Sequence, residues 1–237
     1  MLTTSYARKE IALTLLIGLA VTAVTGTLWG LSAIVPLVIT LVLLSFYRDP
    51  PRRIPAGEGL VLAPADGRIV AIERDLPGPD GQGRWLRIMT FLAVYNVHVN
   101  RSPCAGRVSG LAYRPGKFVS AVRNEADMSN ECNTVTLTPR GPLPGPVYVR
   151  QIAGVLARRI VCTVKEGQDV AAGERIGMIK LGSRTELRLP ESEDWQVLVR
   201  VGQRVAAGKT VLVELRSAVP ASSQPQRMAP ASTRPQA

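Results

Sequence analysis

The sequence holds one histidine and three cysteines, and Phe, Tyr and Trp together supply only 5% of its 237 residues. Each shortage excludes something. Cys104, Cys132 and Cys162 are odd in number, far apart and without a Cys-x-x-Cys pair, which argues against a disulfide scaffold and suits a reducing compartment. Sparse aromatics, with no helix-turn-helix, zinc-finger or RNA-binding signature, leave nucleic acid a poor partner for a chain whose 29 Lys and Arg outnumber its 18 Asp and Glu. The other common polyanion is an anionic phospholipid membrane. With a single imidazole available, any histidine chemistry belongs to His98.

Charge is missing altogether from Ile11 to Phe46. This run of 36 positions is far longer than the roughly 20 residues one membrane span needs. Thr25, Gly26 and Thr27, then Gly30, punctuate it, so the pattern predicts two short apolar helices in a hairpin, near Ile11 to Val24 and Leu31 to Phe46. Arg8 and Lys9 precede the run and Arg48, Arg52 and Arg53 follow it, which places both flanks on the cytoplasmic side of a cell membrane. The segment from Phe46 to Pro55 reads as an interfacial exit, with rings at headgroup level, arginines for lipid phosphates and prolines to stop the helix.

From Gly59 onward, short Val- and Ile-rich runs alternate with Gly, Pro and Asp, as in Arg68 to Glu73, Trp85 to Leu92, Arg107 to Tyr113, Thr134 to Thr138, Ile160 to Val164 and Gln196 to Val201. That pattern is mainly β. The Ala-containing segment Gln151 to Arg159 is the one expected helix, and the Pro-, Ser- and Gln-rich sequence after Arg216 reads as disordered. The expected organisation is therefore a membrane anchor over 1–58, a β-rich catalytic domain over 59–216 and a tail over 217–237. Within the β region, the segment from Val164 to Gly173 recurs as Val199 to Gly208, thirty-five positions later. Two such units look like the halves of a barrel-sandwich, as in biotinyl and lipoyl carriers.

Three places carry candidate chemistry. Ser183 follows Gly182 between the two repeats, and a serine hydroxyl can attack the carbonyl on its own N-terminal side. Period-two alternation puts His98 on a polar strand face with Asn96 and Asn100, opposite Val97 and Val99. Asp66, in the turn Ala63-Pro64-Ala65-Asp66-Gly67, is the candidate to orient that histidine as a general base. The cluster from Asn130 to Asn133 reads as a polar loop before a strand. A competing reading makes Lys180, in Met178-Ile179-Lys180-Leu181, the acylated lysine of a membrane-anchored biotinyl- or lipoyl-like carrier.

Six ordered segments together resemble the short form of the phosphatidylserine decarboxylase proenzymes. They are Phe46 to Pro50, Ala63 to Gly67, Asn96 to Pro103, Asn130 to Asn133, Gln151 to Gly154 with Ala157 to Val161, and Leu181 to Arg184. The resemblance implies self-cleavage between Gly182 and Ser183, leaving a β chain that ends at Gly182 and an α chain headed by a pyruvoyl group made from Ser183. It further implies that this group binds the amine of phosphatidylserine as a Schiff base, and that phosphatidylethanolamine and carbon dioxide are the products. Two positions depart from the longer bacterial form, which has Thr after the Gly-Ser pair and a second histidine three residues after the first. Here they are Arg184 and Arg101.

Overall fold

A computed structural model describes residues 3–78, 81–116, 129–154, 160–179 and 183–216. The expected tail over 217–237 lies outside these, as do Lys180, Gly182 and positions 155–159 of the expected helix.

The uncharged run folds as a hairpin of α1 (Arg8–Trp29) and α2 (Ile34–Ser45) around a 3-10 turn at Gly30–Ala33. Helix α1 does not stop at Val24. Thr22 donates its hydroxyl to the Gly18 carbonyl at 2.7 Å and Thr25 to that of Val21 at 2.8 Å, so these polar groups are satisfied within the helix and do not break it. At 1.5 Å per residue α1 reaches about 33 Å, enough for a hydrocarbon layer of about 30 Å, whereas α2 reaches about 18 Å. The helices meet at Gly18, where any side chain would run into Thr40. Leu16, Leu28, Trp29, Leu31 and Val42 are each more than half exposed, an apolar surface of the kind that a membrane or a partner covers.

The β domain is built on a curled antiparallel sheet of eight strands. Across it run β13 (Arg204–Val205), β2 (Gly67–Pro77), β3 (Arg84–Leu92), β11 (Ser183–Pro190), β7 (Val147–Ile152), β6 (Cys132–Pro139), β5 (Gly106–Arg114) and β9 (Asp169–Val170). Two smaller sheets complete the domain. One orders β1 (Leu60–Leu62), β14 (Val211–Leu215) and β12 (Trp195–Val197), the other β4 (Val99–Arg101), β10 (Arg175–Ile179) and β8 (Ile160–Cys162). Gln151 and Ile152 belong to β7 and not to the expected helix. Val147, Val149 and Gln151 alternate inward on a strand paired on both edges, and that pairing outweighs the helical propensity of the alanines beyond it.

The internal repeat explains the architecture. Its two copies supply β9 and β13, which form opposite edges of the large sheet. Their backbone bonds match: Val108 donates to Gln168 and Gly167 to Val108 on one side, while Ile69 donates to Gln203 and Gly202 to Ile69 on the other. The copies meet at Gly173 and Gly208, both with positive φ, where the Ile54 side chain fills the space that a Cβ would need. Ile54 comes from the hairpin's exit segment, so that segment docks where the two halves join.

Charge fixes the same junction. The buried Asp49 carboxylate takes a 2.7 Å ion pair from Arg101 and a second from Arg175, and Arg101 also donates to the Gly173 carbonyl. Removing one member of a buried pair strands the other. Asp49→Asn is therefore expected to cost about 3 kcal/mol and lower the melting temperature by roughly 5–10 °C. A thermal melt of the detergent-solubilised chain checks this, and an unchanged midpoint would show that the junction does not depend on the pair.

Candidate active site

One face of the large sheet changes character along its length. Leu187 of β11 stands level with Ile88, Val149 and Val135 on neighbouring strands, and all four lie in the apolar core. One step along, the level row is Thr90, Thr185, Gln151 and Asn133, and beyond it Ser183 faces Leu92. All of these are buried. Asn133 donates to Gln151 at 2.8 Å, and Gln151 donates to Asn100 of β4 at 2.8 Å. The Ser183 hydroxyl, the Asn100 amide nitrogen and the Thr185 hydroxyl make no hydrogen bond among the described residues. Orphaned buried polar atoms are costly, and three against one polar row mark a place shaped for something other than folding.

His98 directly precedes β4 and is fully buried, as are Val99 and Asn100, so the expected polar face is an interior one. Its carbonyl accepts from Ile179 at 3.2 Å. Ile179 ends β10 and Ser183 begins β11, so the four-residue step between them spans at most about 14 Å. Ser183 therefore lies within that reach of Ile179, whose amide bonds the His98 carbonyl, and Gly182 lies outside the described residues. The Phe46 ring packs on the imidazole with centroids 4.3 Å apart.

Nδ1–H of His98 donates to the Asn96 carbonyl at 2.9 Å, which makes Nε2 the acceptor nitrogen. Burial pulls the imidazole pKa down from 6.5 to about 4, opposed by the Asn96 bond and assisted by the charge of Arg48. The ring is thus a neutral base at physiological pH. A lowered pKa means that the unfolded chain binds more protons than the folded one between the two values. Stability contributed by neutral His98 is complete above pH 6.5 and is lost as pH falls toward 4. Denaturant midpoints across this window should fall more steeply for the native sequence than for His98→Gln, and parallel curves would contradict the burial effect.

Asp66 does not hold the ring. Its carboxylate is engaged by Arg52 at 2.8 and 2.9 Å and by the Ala207 amide at 2.8 Å, so the orienting partner of His98 is the Asn96 carbonyl. Asp66 ties the exit segment to the second repeat. The equivalent residue of the other half is Ala105, so this clamp exists on one side only. Arg184 points to the opposite face of β11 from Ser183, beside Glu186, whose carboxyl burial would raise but Arg150, Arg188, Arg184 and Arg87 together hold below its usual range. Arg101 is the partner of Asp49. Neither departing arginine therefore takes over a histidine or threonine role. Arg52, expected at lipid phosphates, is instead paired with Asp66, and Asp49, Thr185 and the amides of Asn100 and Gln151 are candidate site residues to which sequence alone gave no role. Their signal was weak, consisting of polar residues inside segments already noted for other reasons.

The phosphatidylserine decarboxylase family profile matches residues 39–213. The chain belongs to this family. As a family member it is a decarboxylase. It is 44% identical over 192 residues to a phosphatidylserine decarboxylase proenzyme of Nitrobacter winogradskyi, covering 80% of this chain and 76% of that one. A proenzyme of the same name from Granulibacter bethesdensis is 48% identical over 180 residues, covering 74% and 72%. One from Cupriavidus pinatubonensis is 44% identical over 202 residues, covering 84% and 89%. The family match begins within α2, takes in the exit segment and β1 to β13, and ends within β14.

Proposed function

We propose that this decarboxylase converts phosphatidylserine to phosphatidylethanolamine and carbon dioxide with a pyruvoyl group that it makes from Ser183. The observation that carries the reading is the buried, unbonded Ser183 hydroxyl at the head of β11, reached by a short connection from the strand that flanks neutral His98. In the maturation step, His98 Nε2 takes the hydroxyl proton, the oxygen attacks the Gly182 carbonyl, and the Gly182–Ser183 C–N bond breaks as Nε2 returns that proton to the leaving nitrogen. The product is an ester with a free Ser183 amine. Loss of the Ser183 α-proton and cleavage of the Cβ–O bond release the Gly182 carboxylate, and water then displaces ammonia to leave a ketone. The result is a heterodimer of the chain's own β and α parts.

The residues present suit such a group. Asn100 and Thr185 hold buried donors with no other acceptor among the described residues, as the two adjacent carbonyl oxygens of a pyruvoyl would require. When present, that group supplies an electron sink for the pair released as carbon dioxide leaves. In this reading His98 holds or returns a proton at Nε2, and Phe46, whose ring packs on the imidazole, keeps water away together with the apolar row behind. Asp66 is a positioning residue that fixes the exit segment through Arg52. The hairpin anchors the enzyme in the cell membrane with its catalytic domain on the cytoplasmic face, and anionic lipid attracts its basic surface.

Intact-mass measurement of the purified chain tests the cleavage. Fragments ending at Gly182 and beginning at position 183 are expected. A single whole chain, with or without added mass at Lys180, would contradict the cleavage.

A further inference from the structure

The two halves of the domain differ at one telling pair. Where β5 meets β9, Arg107 stands opposite Asp169. At the equivalent place, where β2 meets β13, Arg68 stands opposite Arg204. Like charges directly opposite on antiparallel strands destabilise a sheet. The repeat shows that this position accepts a carboxylate, yet here it carries a second arginine. No carboxylate among the described residues pairs with either side chain.

Both arginines line a cavity of about 510 Å³ with Arg48, Phe91, Tyr95 and Asn96. Arg48 is held in place by the Ser45 carbonyl at 2.9 Å and by the Tyr95 carbonyl, at the foot of α2 where the hairpin leaves the apolar layer. Arg68 and Arg204 lie on the sheet face away from Ser183. The cavity passes the end of β3 at Ala93 and Asn96, the residue whose carbonyl holds His98. Three arginines thus line one cavity between the apolar hairpin and the candidate catalytic histidine, and none of them pairs with a carboxylate among the described residues. Guanidinium forks match the oxygens of a phosphate.

We propose that this cavity binds the phosphodiester of the lipid headgroup on which the enzyme acts, with Arg68 and Arg204 as the main donors and Arg48 completing the site. The assignment rests on the phosphatidylserine reading above. It accounts for the like-charge pair, since a bound phosphate turns a repulsion into two ion pairs. It also separates recognition from chemistry, because the phosphate would be held on one side of the β3 end and the serine amine presented on the other.

The test uses full-length chains. Glycerophosphoserine, inorganic phosphate and free serine are titrated into Ser183→Ala protein, with and without Arg68→Gln and Arg204→Gln. The double substitution should weaken glycerophosphoserine binding on the order of 30-fold and leave serine binding unchanged. Inorganic phosphate should bind more weakly than glycerophosphoserine. This arm needs no pyruvoyl group, so it stands even if the cleavage reading fails. In the Ser183-containing enzyme the same pair of changes should leave self-cleavage intact. It should raise KM for dispersed short-chain phosphatidylserine by about 10- to 100-fold, with kcat within about threefold. Unchanged Kd and KM would overturn the proposal, as would inorganic phosphate binding as tightly as the glycerophosphodiester. A defect seen only on anionic vesicles and absent with dispersed substrate would also overturn it, by assigning the arginines to surface attraction.

Discussion

Ser183→Ala should leave the chain whole and inactive. The hydroxyl is at once the expected nucleophile for cleavage and the source of the carbonyl that takes up electrons, so its removal ends both reactions together. Activity should fall by on the order of 10⁶-fold or more, the scale by which enzymes exceed uncatalysed reactions. Folding should scarcely change. The hydroxyl is buried and makes no hydrogen bond among the described residues, so Ala at this position loses no partner there and relieves an unsatisfied group. An inactive, uncleaved protein with an unaltered melting temperature separates chemistry from misfolding. A Ser183→Ala protein that still runs as two chains would refute the assigned nucleophile.

His98→Ala should slow self-cleavage by about 10²- to 10⁴-fold, the range that a positioned general base contributes. The geometry makes this a test of one nitrogen. Nδ1 is committed to the Asn96 carbonyl, and burial keeps the ring unprotonated well below neutral pH, so Nε2 is the basic atom throughout the physiological range. Cleavage of the native sequence should accordingly be nearly independent of pH above 6 and fall only as pH approaches 4. Because the imidazole packs against Phe46, His98→Ala leaves a cavity, and added imidazole should restore part of the rate. Time courses of full-length chain disappearance after synthesis measure this. An unchanged half-time would remove His98 from the maturation step.

Much of the fold was legible because its signals are local. The hairpin follows from an uncharged run, and the two-fold β domain from a repeat whose glycines and valines recur at the same spacing. Helix α1 outran its expected end because threonine hydroxyls can bond back to the helix, which residue type alone does not reveal. Gln151 looked helical beside alanines but is fixed by strands on both sides, a long-range effect. At the site, Ser183 and His98 stood out through chemistry and rarity. The partner of Asp66 did not: Arg52 and the Ala207 amide reach it from 14 and 141 positions away, and local sequence carries no trace of either bond. The polar row through Thr185, Gln151 and Asn133 was hidden for the same reason, since register between strands, and not sequence order, makes those residues neighbours.

Maturation as proposed turns Ser183 into something other than serine. The mass of the C-terminal fragment from freshly purified native-sequence protein tests it most directly. The expected fragment is lighter by one ammonia than a serine-headed chain starting at position 183, with a carbonyl that borohydride reduces. A C-terminal fragment carrying an intact N-terminal serine would contradict it.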